Sequence, residues 1–299
     1  MLNIIQNSNL DIVTGPSKVV CNLIKGLQKL KYPFVLNGKI ESNQMIFIPN
    51  SRRKLVKILF SESKYSNIIA GPNIFVLPSD IDFLSKLALK KVKFYVQPSK
   101  WAMDVWLKLG YRLSSMNIWA VGIDTEFWQP FEKNRKKKIL IYFKERNLEL
   151  LENTKNILEK LKLKYSVLFY GKYNEIKYKS LLAEIDFVIW IGRHESQGIA
   201  LMECLSCNIP LIVLDVKSLW DSTTWNYNSN KLKSLLDLKV TAAPYFDENC
   251  GIIINDINHL ESAIDKMLSE INFFNPRKFI LDNFTLEKKA MDLLNLFRS

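Results

Sequence analysis

Short apolar runs alternate along this chain with longer segments whose apolar residues recur at helical spacing, the pattern of an α/β protein with parallel sheets. Asn3 to Ile5 reads as a strand, and Gly15-Pro16-Ser17 as a turn opening a helix with apolar positions at Val19, Val20, Leu23, Ile24, Leu27 and Leu30. Further strands are expected at Phe34 to Leu36, Met45 to Ile48, Asn67 to Ala70, Val92 to Val96 and Asn117 to Val121, with helices between them, notably Ile81 to Lys90 and Lys100 to Leu109. After Trp128-Gln129-Pro130 a polar, basic stretch from Glu132 to Lys138 interrupts the pattern, and a fresh strand, Ile139 to Phe143, starts a second series. A helix over about Leu148 to Leu163, a strand at Ser166 to Tyr170, a helix to Ala183, a strand at Phe187 to Ile191 and a helix over Gly198 to Ser206 follow. Strands at Pro210 to Leu214 and Gly251 to Ile254, then helical segments near His259 to Ile271 and Thr285 to Phe297, complete it.

This reads as two doubly wound units joined by a hinge, a first domain over residues 1–129 and a second over residues 130–299, with the last helix able to fold back on the first. The length agrees: 299 residues exceed the roughly 250 at which single cores split. With 48% apolar, 12% aromatic and 24% charged residues, the composition supports packed cores and excludes disordered or collagen-like chains. Met1 to Ile12 alternates apolar and polar residues and does not read as a signal peptide, and no apolar run approaches the roughly 20 residues of a membrane span. Four scattered cysteines point to a reducing, cytoplasmic setting rather than a disulfide framework, and Cys204 and Cys207, spaced C-x-x-C without a second pair, are expected to be packing residues.

The net charge of +12 is unevenly spread, +9 on residues 1–129 and +3 on residues 130–299. The first domain either faces something anionic or carries a lysine-rich solvated surface. No basic run is interleaved with aromatics, so nucleic acid is not expected as a partner.

The chemistry concentrates in Gly192 to Glu203, directly after the apolar strand that ends at Ile191. Glu195 falls in the loop and Glu203 inside the helix, so two carboxylates face one crevice from different elements, at the strand-to-helix position where open α/β sheets bind ligands. Free N–H groups at the helix start suit a diphosphate, and the carboxylates suit vicinal hydroxyls of a sugar or ribose. The bland alternative is an exposed loop acid and a helix-surface acid.

The E-x7-E spacing of Glu195 and Glu203, with Ser196-Gln197-Gly198-Ile199 inside and Leu205 to Pro210 after, resembles the donor motif of family 4 glycosyltransferases, which have the GT-B fold of two Rossmann-like domains facing a cleft. Gln97 to Trp101, Leu109-Gly110-Tyr111 and Val121 to Pro130 resemble the family's segments around the interdomain hinge, and the ordered matches span about residues 97–214. The resemblance implies transfer of a sugar from a nucleotide-sugar donor, UDP- or GDP-linked first, to an acceptor hydroxyl with retention at the anomeric carbon and without a metal or other cofactor. It assigns Glu195 to the donor sugar, Glu203 to the ribose diol, and the backbone at Gln197, Gly198 and Ile199 to sugar and diphosphate. Gly15 matches a glycine that lets the backbone approach the donor phosphates. Lys144 and Arg146 stand where the family neutralises the leaving diphosphate, although its usual glycine-arginine start is absent; Arg146 reads equally as a solvated helix-start residue. The family's N-domain histidine is missing, since His194 and His259 both lie in the second half. Gly71-Pro72-Asn73 or Pro78-Ser79-Asp80 takes its place, making Asn73 and Asp80 acceptor-side candidates.

The implied acceptor is a glycan, glycolipid or other hydroxyl compound, anionic if the charge of the first domain serves it, and a peripheral contact with an anionic membrane surface is a further expectation. Rival readings are a metal-dependent transferase through Asp80-Ile81-Asp82, where Ser79 or Asp80 as a helix cap is the simpler account, a non-catalytic module of the same fold binding an anionic polymer, and a sugar-nucleotide epimerase.

Overall fold

The computed structural model describes residues 1–299 except 13, 42–43, 61–66, 133–137, 224–234 and 236–237. The interior of the Glu132 to Lys138 stretch therefore lies outside the described residues. In chain order the elements are β1 (Leu2–Ile4), α1 (Gly15–Lys29), β2 (Phe34–Leu36), β3 (Met45–Ile48), α2 (Arg52–Lys57), β4 (Ile68–Ala70), α3 (Phe83–Leu89), β5 (Phe94–Gln97), α4 (Lys100–Lys108) and β6 (Ser115–Ile118). The second series runs β7 (Lys138–Lys144), α5 (Leu148–Lys160), β8 (Lys164–Phe169), α6 (Glu175–Leu182), β9 (Phe187–Gly192), α7 (Ile199–Ser206), β10 (Leu211–Leu214), β11 (Gly251–Ile254), α8 (Leu260–Glu270), α9 (Pro276–Asn283) and α10 (Leu286–Arg298).

Two compact units result, one of Met1–Gly122 with Phe284–Ser299 and one of Ile123–Asn283. This division departs from the 129/130 boundary read from the polar stretch. Residues 123–129 belong to the second unit because Arg277 of α9 donates to the carbonyls of Thr125, Trp128 and Ser206, while the Trp128 ring stands 5.7 Å from that of Tyr178. The chain then returns to the first unit, where α10 packs on α1 and the Trp119 indole donates to Lys289 O at 2.8 Å. No helix among the described residues is long and apolar enough to cross a membrane.

Both sheets are wholly parallel, with strand orders β2-β1-β3-β4-β5-β6 and β11-β10-β9-β7-β8. In the second, alternate residues of β7 serve opposite faces. Ile139, Ile141 and Phe143 join Leu151, Leu158 and Ile264 in the core under α5 and α8. Tyr142 points the other way and stacks on Trp190 of β9 with ring centroids 3.8 Å apart. Cys204 and Cys207 are buried free thiols whose ionisation burial opposes, consistent with a packing role.

Local details depart from expectation where short polar side chains decide. The helix read as Ile81 to Lys90 starts at Phe83, because Asp82 accepts from the Ser85 N–H and hydroxyl; the hydroxyl contributes most to pulling its carboxyl down to about 2. Asp80 instead closes the preceding 3-10 turn, accepting from the Leu77 N–H at 2.9 Å, so neither it nor Ser79 caps α3. Helices α2 and α9 were not legible in the apolar pattern.

Candidate active site

In the second sheet the chain reverses its direction of winding between β7 and β9, which pair with Lys144 opposite Gly192. Helix α5 covers the Ile139/Ile141/Phe143 face, whereas α7 lies with α6 and α9, the Tyr178 hydroxyl of α6 donating to Ala200 O at 3.0 Å. With the two connections leaving to opposite faces, a crevice opens at the carboxyl ends of these strands, where doubly wound sheets bind ligands.

Lys144, the last residue of β7, points into this position, its Nζ 2.5 Å from Glu195 Oε1 and 4.1 Å from the centroid of the Tyr170 ring. Both partners are largely buried, at 8% and 14% side-chain exposure, so the pair is poorly screened. Glycine at 192 is required beside it, since a β-carbon there would stand 2.4 Å from Trp190 Nε1. Glu195 is held from behind: its N–H donates to Thr241 O at 3.0 Å, the Thr241 hydroxyl lies 3.0 Å from both carboxylate oxygens of Asp215, and the Ala242 N–H donates to Asp215 at 2.6 Å. The carboxylate that follows β10 thus positions the loop that presents Glu195. Asp215 was missed in the sequence, although an acid directly after an apolar strand was a usable signal; Thr241, 26 residues further on, offered none.

Glu145 occupies the left-handed region at φ 52°, the conformation that favours the glycine absent from this position. Its carboxylate lies 2.9 Å from Arg193 Nε, and the Arg193 N–H donates to Lys144 O at 3.0 Å. Arg146 is buried at 7% exposure, and its Nη1 donates to Gly192 O at 2.9 Å and Leu214 O at 3.2 Å. The solvated helix-start reading of Arg146 therefore fails; Asn147 caps α5, and the guanidinium ties together the ends of β9 and β10. Arg146 also lines a cavity of about 480 Å³ with Asp215, Asp221, Ser222, Asn255 and Asp256. Lys217 lines it as well, so two cations and three carboxylates share that wall.

His194, at 3% exposure, sits among these cations. Burial, with Arg193, Lys144 and Arg146 adding, pulls its pKa down to about 3 from 6.5, so it is neutral at pH 7 and is no proton donor there. Since the unfolded chain binds this proton near pH 6.5 and the folded chain does not, stability is intact above pH 6.5 and declines as the pH falls toward 3. Denaturation series at successive pH values are expected to show a slope of up to about 1.4 kcal/mol per pH unit from this group, removed in His194→Gln. An unchanged slope in the variant would assign the acid sensitivity elsewhere.

The loop reaches α7 through Gly198, which is left-handed at φ 77° and supplies no side-chain cap to the first turn of the helix. Gln197 is buried, with its Nε2 3.7 Å from Met202 Sδ, while Ile199 is half-buried as the first helical residue. Glu203 is 2% exposed rather than a surface acid. Its charge and that of Glu195 both raise the Tyr173 phenol pKa, after burial as the main cause, and that phenol is hydrogen-bonded to Tyr142 at 2.9 Å.

The remaining candidates belong to the first unit. Gly15 opens α1 behind the Thr14/Ser17 capping box, and a β-carbon there meets nothing within 4 Å. Asn73 donates its N–H to Pro49 O at 2.8 Å, and its Nδ2 is buried. Asp80 is engaged in its own turn. The structure brings together Lys144, Arg146, Glu195, Gln197, Gly198, Ile199 and Glu203 within the second unit.

No protein-family model matches the chain, and no curated protein is significantly similar to it. Its fold is shared with solved structures. Sucrose-phosphate synthase from Thermosynechococcus elongatus superposes with a TM-score of 0.59 at 11% identity, covering 99% of this chain and 98% of that one. The lipopolysaccharide outer core galactosyltransferase WaaB gives 0.57 at 10% identity, with 99% of each chain covered. Anabaena HepE, solved with UDP and glucose, gives 0.57 at 10% identity over 99% of this chain and 98% of that one. At such identities the likeness establishes architecture: the chain has the α/β GT-B fold, with two parallel-sheet, Rossmann-like units.

Proposed function

We propose that this protein is a retaining glycosyltransferase that moves a sugar from a nucleotide-sugar donor to an acceptor hydroxyl. The observation that carries this reading is the Lys144–Glu195 pair at the switch point of the second sheet, beside a helix start that no side chain caps. In the proposed complex the first-turn N–H groups from Gly198 and Ile199 hold the diphosphate, and the Lys144 ammonium offsets the charge that grows on it as the bond from the anomeric carbon to the phosphate oxygen breaks. Glu195 accepts from donor sugar hydroxyls. The new bond from the anomeric carbon to the acceptor oxygen forms on the face the phosphate leaves, and the departing phosphate oxygen takes the acceptor proton. No protein base is then required.

Glu203 is proposed to meet the ribose diol, and Arg146 to support the site through the strand ends rather than by touching phosphate. Lys144 supplies the positive charge that a metal would otherwise bring, so the reaction is proposed to be metal-independent. The first unit, with Gly15 at its first helix start and most of the excess charge, is proposed to hold the acceptor. UDP- and GDP-sugars are the first donors to test. In a thermal-shift screen of UDP-, GDP- and ADP-sugars, the true donor at about 100 times its dissociation constant stabilises by about 2.7 kcal/mol, and does so equally in excess EDTA. Silence toward every donor would count against the assignment, and a shift abolished by EDTA would overturn the metal-independent step. A donor that is bound and isomerised without an acceptor would identify an epimerase.

A further inference from the structure

Two short helices of the first unit leave apolar residues toward solvent where ordinary surface helices carry polar ones. In α3 the inward positions Ser85, Ala88 and Leu89 are fully buried, yet the outward positions are Phe83, Leu84 and Leu87, at 73%, 44% and 37% exposure. Helix α2 lies against α3, joined to its cap by the Arg52 Nε–Asp82 ion pair at 2.7 Å. The 3-10 turn that follows α2 contacts both helices and ends on Phe60, 75% exposed. Clustered exposed apolar side chains of this kind mark interaction surfaces, whereas singly exposed ones need no explanation.

The charge around them is predominantly positive. Arg52, Arg53, Lys54 and Lys57 lie on α2, and Lys86, Lys90 and Lys91 on α3 or just beyond it, while Asp80 and Asp82 are the acids of residues 52–60 and 78–91. Asp82 is already paired with Arg52. A soluble polyanion would use these cations and gain nothing from Phe60 and Phe83. An anionic bilayer uses both, because cations meet lipid phosphates at the headgroup level while aromatic and leucine side chains enter the acyl boundary.

We propose that the α2–α3 face of the first unit docks on an anionic lipid bilayer, with Phe60, Phe83, Leu84 and Leu87 as the inserting residues. The proposal does not depend on the glycosyltransferase reading, since lipid binding needs no catalysis.

Sedimentation of the full chain with vesicles of phosphatidylcholine, with or without phosphatidylglycerol, tests it. Binding is expected only to the anionic vesicles. Neutralising Arg53, Lys57 or Lys90 with glutamine weakens it about fivefold each, the equivalent of about 1 kcal/mol per cation. Phe60→Ser with Phe83→Ser weakens it about tenfold at unchanged melting temperature, as expected for lost insertion of two exposed side chains. Lys162→Gln with Lys164→Gln, in the second unit, leaves it unchanged. Absence of binding to anionic vesicles overturns the proposal. So does binding indifferent to Phe60 and Phe83 and matched by a soluble polyanion such as heparin, which identifies a polymer site, or binding lost equally in the second-unit variant, which places the contact elsewhere.

Discussion

Lys144→Met is expected to lower the rate of sugar transfer by about 10²- to 10³-fold, the loss typical when a preorganised group facing developing negative charge is removed. The same change removes the ammonium beside Glu195, only 14% exposed, and so destabilises the fold by about 3 kcal/mol. These effects are separable. In Lys144→Met/Glu195→Gln no buried charge is left unpaired, so stability returns while transfer stays low. Denaturant melts and a transfer assay with the stabilising donor read the two independently. If the double variant transferred sugar within tenfold of the wild type, the pair would be a structural feature and not the centre of the reaction. A Glu195→Gln single variant should also lose transfer, since its amide cannot accept from donor hydroxyls with the strength of a carboxylate.

A second large effect is expected at Gly26, on the face of α1 that receives α10. A β-carbon there would lie 2.4 Å from Leu286 O and 3.0 Å from Ala290 Cβ, and the first of these is backbone that cannot rotate aside. Gly26→Ala is therefore expected to destabilise the first unit by about 3 kcal/mol, against the usual gain from removing a helix glycine. Gly122 makes the same demand, its β-carbon position falling 2.5 Å from Thr285 O, so two glycines admit the returning chain. Gly15→Ala, with open space around it, serves as the control and should leave the melting temperature unchanged or higher. Calorimetry showing equal melting for Gly26→Ala and the wild type would mean that the docking of α10 contributes little to the first unit.

Several features of the site could be read along the chain because they depend on local pattern. The run Phe187 to Ile191 is apolar at every position, as a strand covered on both faces must be, and the polar loop and helix after it place Glu195 outside and Glu203 within a helix. Lys144 at the end of Lys138–Lys144 was legible on the same grounds. The burial of Glu203 was not, since helical spacing says which residues share a face but not which neighbour covers that face. Arg146 was misread in part for a related reason: its backbone partners, Gly192 O and Leu214 O, come from strands 46 and 68 residues away.

By itself the sequence determined the fold class, most of the strands and helices and the loop that carries the candidate chemistry, because alternation, helical periodicity and turn residues act over a few residues. Only the tertiary structure decided the strand orders, the Lys144–Glu195 pair and the Asp215–Thr241 support behind it. Each of these joins residues far apart in the chain. Which distant groups meet is set by crossover direction and strand register, and these follow from packing whole elements together rather than from any single stretch of residues.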